Sequence, residues 1–183
     1  NASLNHLRIF SNAKKTINIS SSYIEQSENS NYKYFQFVDS GALQRSDIYN
    51  SLKGTNSTCF LSGLTLLDDD QQSATYITTD HIMPNCTSSQ NFKSVLNNKS
   101  SGVFNGRTIV REDSQKTNSK QSNKNLLLSN KATMNSNPQL EIYADDVKCA
   151  HGSTTGALDN EALFYMQSRG LDRESASSLL IRG

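Results

Sequence analysis

The sequence predicts an all-β chain that turns helical only near its end, and three observations carry that reading. Short runs alternate apolar and polar residues at the two-residue period of half-buried strands: Leu7-Arg8-Ile9, Ile17-Asn18-Ile19, Tyr32-Lys33-Tyr34, Thr75-Tyr76-Ile77 and Leu140-Glu141-Ile142. Connectors rich in Asn, Ser, Gly and Asp separate them at 27–31, 68–73, 97–102 and 135–138. No stretch before residue 158 carries a sustained apolar stripe at the helical period. A sandwich, a barrel and a β-solenoid all satisfy this pattern. The asparagine content adds some weight to the solenoid, because Asn tolerates the left-handed turns of stacked coils. Against it, the sequence shows no crisp repeat.

The change to helix falls near Leu158, which divides the chain into a β core over 1–157 and the start of a helical region over 158–183. Asp159 has the chemistry of an N-cap, Glu161 suits the positive helix start, and Arg169-Gly170 make a stop. In a second helix Asp172 is the cap, and Leu171 with Ala176 has the spacing of a hydrophobic staple. Ala176, Leu179 and Leu180 are expected on one face, with almost no sequence after them to cover it. Such an end is expected of a truncated helical region or of a disordered tail, and the missing initiator Met at Asn1 fits a fragment.

Composition narrows the function classes. The 183 residues suffice for one ordinary domain. Eighteen Lys and Arg against seventeen Asp and Glu leave a net charge of +1, which gives no electrostatic case for nucleic acid or anionic lipid. Lys116, Lys120, Lys124 and Lys131 lie among Ser, Asn and Gln and read as a solvated face. The first residues, NASLNHLRIF, lack the apolar centre of a signal peptide, and the longest apolar run, 162–166, is far below membrane-spanning length, so a soluble protein is expected. Cys59, Cys86 and Cys149 form no C-x-x-C pair and no zinc spacing, and their odd number fits reduced thiols in a cytosolic compartment. Sequons such as Asn18-Ile19-Ser20 are expected by chance in a chain this rich in Asn and Ser. There is no nucleophile elbow, no Walker A sequence and no Gly-rich dinucleotide loop, so the chain has no recognisable machinery for hydrolysing ATP.

One long segment is far from generic. PQLEIYADDVKCAHG at 138–152 is followed by Gly156, by DNEALFY from Asp159 and by Ser168-Arg169-Gly170. Together they resemble the signature core of the SufB/SufD family of iron–sulfur cluster assembly proteins, in a version closer to the SufD type. Asp80-His81, Ser88-Ser89-Gln90, Lys93, Phe104-Asn105-Gly106, Gln115-Lys116-Thr117 and NKNLLL at 123–128 resemble the preceding blocks. The resemblance covers 80–183, a little over half of the chain. It implies a right-handed parallel β-helix followed by helices, acting as a non-enzymatic scaffold. The implied partners are a SufB-type paralogue and an ABC-type ATPase of the SufC type docking on the C-terminal helices, with a second copy of the chain as the alternative to the paralogue. The implied setting is the cytoplasm, or the plastid stroma in a plastid-bearing eukaryote.

Cys149 and His151 form a C-x-H on a strand end, where residues two apart share a face. Thiolate and imidazole both ligate iron. The residues alone leave open a packed Cys and a satisfied His; the resemblance implies iron handling. The expected site is shared, with a transient iron or iron–sulfur cluster held between this chain and a second subunit and none in the isolated chain. Leu140 and Ile142, within 140–143, are the expected pairing edge, and Leu179 and Leu180 the expected ATPase contact. Cys59 is expected in the core, His81 and Cys86 as structural, and Asp145-Asp146 as a turn. Two other functions stand beside the scaffold that handles iron: a structural subunit that does not touch iron, and a β-helical polysaccharide-active enzyme. The enzyme would need a row of carboxylates, arginines and aromatics along one face.

Overall fold

A computed structural model describes residues 1–11 and 13–182; Asn12 and Gly183 lie outside the described residues. The elements run β1 (Ser3–Phe10), β2 (Ile17–Gln26), β3 (Asn31–Val38), β4 (Leu43–Leu52), β5 (Thr58–Leu67), β6 (Gln72–His81), β7 (Thr87–Leu96), β8 (Ser101–Val110), β9 (Asn118–Leu127), β10 (Thr133–Ile142), β11 (Lys148–Ala157), α1 (Asn160–Ser168) and α2 (Arg173–Arg182). The odd strands form one sheet in the order β1-β3-β5-β7-β9-β11, and the even strands form a second in the order β10-β8-β6-β4-β2. Every pairing is parallel. Each strand therefore pairs with the next but one in the chain, and the backbone winds as a flattened parallel β-solenoid with two strands per coil.

The coil length drifts. Ser3 pairs with Asn31, Asn31 with Thr58, Thr58 with Thr87, Thr87 with Asn118 and Asn118 with Lys148, a spacing between 27 and 31 residues. In the even sheet Ile17–Leu43, Leu43–Gln72, Gln72–Ser101 and Ser101–Thr133 span 26 to 32. The corners absorb these differences, so the repeat is structural without being crisp in sequence.

Asparagine holds the corners. Asn29, Asn56, Asn85 and Lys116 each stand two residues before an odd strand with φ of 55°, 56°, 59° and 60°, the left-handed region that Asn enters at low cost. Asn56 Nδ2 donates to Asn29 Oδ1 at 3.3 Å, one rung of a corner ladder. At the other corner Asp69 and Asn98 are also left-handed, and Asn98 Nδ2 donates to Asp68 Oδ1 at 2.7 Å.

Inward positions of the two sheets meet in a core that mixes apolar and polar rows. Tyr32, Tyr34, Ile48, Leu52, Leu61, Ile77, Phe92 and Phe104 form the main apolar cluster. Beside it buried polar groups bond one another between coils: Gln36 Nε2 donates to Thr75 Oγ1 at 2.9 Å, and Gln121 Nε2 to Gln90 Oε1 at 2.8 Å. Partnered in this way, such groups avoid the desolvation cost that would otherwise exclude them.

Two sequence expectations change. In the first coil the alternation is inverted: Leu7, Ile9, Ile17 and Ile19 face outward and are exposed, because the register aligns Leu7 and Ile9 with outward Phe35 and Phe37. The expected connector at 135–138 lies inside β10, where Pro138 is tolerated because β10 is an edge strand.

The helices end the chain as their caps predict. Asp159 Oδ1 accepts from the Glu161 and Ala162 amides, Gly170 follows α1 with φ 94°, and Asp172 Oδ1 accepts from Ser175 N at 2.8 Å. On α2, Ala176 is fully buried and Leu180 half-buried, while Leu179 is 49% exposed, left uncovered as the sequence leads one to expect. No described helix is long and apolar enough to cross a membrane.

Candidate functional site

β11 is bonded on one side only, to β9, and β10 on one side only, to β8. The last coil therefore stands open, with no further coil among the described residues paired to its free edges. In the β9–β11 ladder Cys149 lies opposite Ser119 and His151 opposite Gln121, both inward and buried. Cys149 and His151 thus continue two inward columns, Cys59–Ser88–Ser119–Cys149 and Leu61–Gln90–Gln121–His151. Burial changes abruptly at the end of each. Ser119 and Gln121 are 1% and 4% exposed, whereas Cys149 is half-buried and His151 exposed.

Across the mouth the same logic places Leu140 and Ile142. They sit opposite Thr108 and Val110, both buried, so they too point inward, Leu140 half-covered and Ile142 42% exposed. The predicted pairing edge is therefore also the apolar wall of the mouth. Ser136 Oγ and Ser153 Oγ, 2.7 Å apart, tie β10 to β11. Asn125 Nδ2 adds a bond to Thr155 Oγ1 at 3.3 Å. Ser153 and Thr155 are inward members of this end that no sequence signal marked; only the register shows them.

Residues two apart on a strand have Cα atoms about 6.6 Å apart and point the same way, so a thiolate and an imidazole so placed can reach one ion at bond lengths of about 2.0–2.3 Å. Burial pushes the Cys149 thiol up, and a bond to the Ser119 backbone opposes that shift. Among the described residues no three His, Cys, Asp or Glu side chains converge as a metal site. Cys59 belongs to the same column as Cys149 but lies three strands away, about 14 Å at the usual strand spacing. It is fully buried, and burial raises its thiol strongly. Cys86 is also buried, with Sγ 3.2 Å from Ser57 Oγ and bonded to the Gly54 carbonyl at 3.3 Å. His81 Nε2 lies 2.8 Å from Ser88 Oγ inside the core. Asp145 and Asp146 occupy the bend between β10 and β11, where the Asp146 amide donates to Gln115 Oε1 at 2.9 Å. These residues take the structural places expected of them, which leaves Cys149 and His151 as the thiol and imidazole described at the mouth.

The outer face of the even sheet carries the row that a polysaccharide-active enzyme would need. Tyr23 stacks on Tyr49 with centroids 4.9 Å apart, and Arg45 lies over the Tyr76 ring. Every carboxylate on its strands is engaged, however: Asp47 by Arg45 at 3.1 Å, Asp80 by Arg111 at 2.9 Å, Glu141 by Arg107 at 2.6 Å, and Glu25 by Lys53. Arg107 holds the Glu141 carboxyl below the usual carboxylate range. None is poised as a general acid or a nucleophile, so this row is a set of ion-paired braces and not a catalytic pair.

Comparison with known proteins identifies the family. The model of the family described as "SUF system FeS cluster assembly, SufBD core domain" matches residues 1–183. The chain is 37% identical over 145 residues to the iron-sulfur cluster assembly protein SufD of Escherichia coli, covering 79% of this chain and 34% of that protein. It is 33% identical over 181 residues to a SufBD family protein, slr0076, of Synechocystis, covering 99% and 40%. It is 32% identical over 184 residues to the chloroplastic protein ABCI7 of Arabidopsis thaliana, covering 99% and 38%. The chain thus spans between a third and two-fifths of the length of these relatives. With its two-stranded coils and the C-x-H at its open end, the chain belongs to the SufB/SufD family of iron–sulfur cluster assembly proteins, of which it carries the core domain.

Proposed function

We propose that the core pairs through its open last coil with a SufB-type paralogue, and that Cys149 and His151 supply one half of a site where iron or a nascent iron–sulfur cluster is held as cargo. One observation carries the reading: a thiol and an imidazole, both able to ligate iron, continue buried columns onto a strand whose far side is unpaired. An iron–sulfur cluster takes about four protein ligands, and two donors from each of two subunits meet that number. Unpaired strands at both edges of the mouth supply the backbone donors and acceptors that a second chain would need. Incomplete ligation by either partner lets the cargo leave when the subunits separate, which suits a scaffold. The helical end is the contact for a SufC-type ATPase, supported by the exposure of Leu179, with Leu180 half-covered beside it. Three free thiols fit the reducing cytoplasm or stroma.

The test is reconstitution of the longer protein with its SufB-type and SufC-type partners. Cys149→Ala with His151→Ala is expected to remove most iron and acid-labile sulfide while the complex and its thermal midpoint stay unchanged. Full cluster loading in the double variant would sink the shared site and leave a structural subunit. In the same preparation Leu179→Asp is expected to lower ATPase recovery without affecting the core; unchanged recovery counts against the helical contact.

A further inference from the structure

The near-neutral chain divides its charge by sheet. The odd strands contain no Asp or Glu, yet they carry Lys33, Lys93, Lys120, Lys124 and Lys148, all at outward positions. Among the described residues none of the five forms an ion pair. Lys93 and Lys124 are direct partners in the β7–β9 ladder, an arrangement of like charges that destabilises a sheet unless something answers it.

These two lysines flank a groove of about 510 Å³ floored by Leu64, Leu66, Val95 and Leu126. The apolar surface continues beyond it, because Ile9, Phe37 and Leu64 are in register and Ile9 is exposed. On the other flank the outward residues of β11 after Lys148 are Ala150, Gly152, Thr154 and Gly156. A Cβ at Gly152 or Gly156 would meet nothing within 4 Å, so this chain's packing does not require either glycine. Glycine in a strand interior weakens the strand and commonly marks the close approach of another backbone. The chain's own α2 already brings Ile181 to the rim, which shows that the face accepts a helix. It also brings Arg182, one more cation. The helix of this chain thus covers part of the apolar surface and leaves the charge unanswered.

We propose that the outer face of the odd sheet, centred on Lys93 and Lys124, docks an acidic amphipathic helix from a partner protein. Its apolar side lies on Leu64, Leu66, Val95 and Leu126, its carboxylates meet the two lysines, and its backbone passes close to Gly152 and Gly156. The groove itself is lined by aliphatic residues, with the exposed rings of this face, Phe35 and Phe60, lying outside it, which favours a helix over a nucleic acid that would use stacking platforms. This docking is independent of the cargo site, and its readout involves no iron.

The experiment measures fluorescence anisotropy of two labelled synthetic helical peptides, with leucines along one face and either glutamates or lysines on the flanks, against the chain. The acidic peptide is expected to bind, more weakly as salt rises, and the basic one to bind far less. Lys93→Glu with Lys124→Glu should weaken the acidic peptide by about tenfold or more and invert the preference. Gly156→Leu, on an open surface, should weaken it without loss of fold by circular dichroism. Equal binding of the two peptides, or binding indifferent to charge reversal, overturns the proposal. So does tighter, lysine-dependent binding of a single-stranded oligonucleotide or of phosphatidylglycerol vesicles, which would assign the face to nucleic acid or membrane.

Discussion

Ser88 and Cys149 occupy the same inward column of the solenoid, as do Gln90 and His151, yet the first of each pair is sealed in the core and the second stands at an open mouth. The difference is neither residue type nor strand position but whether another coil lies on top. In the middle coils a polar side chain must find its partner inside the protein, and it becomes structural. In the last coil the same position keeps its donors free for something else.

The sharpest way to break that contrast is to truncate matched inward residues. Phe104 is 2% exposed and packs on Phe92 with centroids 5.4 Å apart, so Phe104→Ala should cost about 3–5 kcal/mol in urea unfolding. Ile142→Ala, inward but at the mouth, should cost less than about 1 kcal/mol. Similar costs at the two positions would show that the last coil is packed like the rest. The next effect is in acid. Burial holds the His81 imidazole down at about 4, with Asp80 pulling the other way. Above pH 6.5 both folded and unfolded forms are neutral at this group. As pH falls from 6.5 towards 4 the unfolded chain takes up a proton that the folded one refuses, and about 3 kcal/mol is lost. His81→Gln should flatten that slope in unfolding measured between pH 7 and pH 4, and an unchanged slope would contradict it. Smallest in free energy is Cys149→Ser, expected to change stability by less than about 0.5 kcal/mol. Cys149 should nonetheless be the thiol that iodoacetamide labels in the native chain, with Cys59 and Cys86 protected until unfolding. Early labelling of Cys59 would mean that its column opens to solvent.

Much of the fold was legible because strand alternation and turn chemistry are local. Tyr32-Lys33-Tyr34 and Thr75-Tyr76-Ile77 lie in strands, Asn29 and Asn56 turn corners, and Asp159 and Asp172 cap helices. The solenoid itself was not legible from pattern, because coils of 26 to 32 residues blur any period, and it came from the resemblance carried by 80–183. Pairing of Cys149 with His151 followed from two-residue spacing alone. What alternation cannot tell is which phase faces in, hence the inverted reading of Leu7 and Ile9. Nor can summed composition show that all acids on the strands sit in one sheet.

The ladder has a kinetic consequence as well. Each strand pairs with a partner one coil away, so no contact in the solenoid waits for a distant part of the chain. Such an array nucleates where neighbours stack on both sides and propagates outward, leaving the terminal coil last to form and first to fray. The amides of β11 should therefore exchange with solvent ahead of those of β5 or β7. On the proposed pairing, a second chain laid against β11 would supply the missing neighbour, and assembly would complete folding at the strand that carries Cys149 and His151. Capture of the proposed cargo and the final ordering of the backbone would then be a single cooperative event.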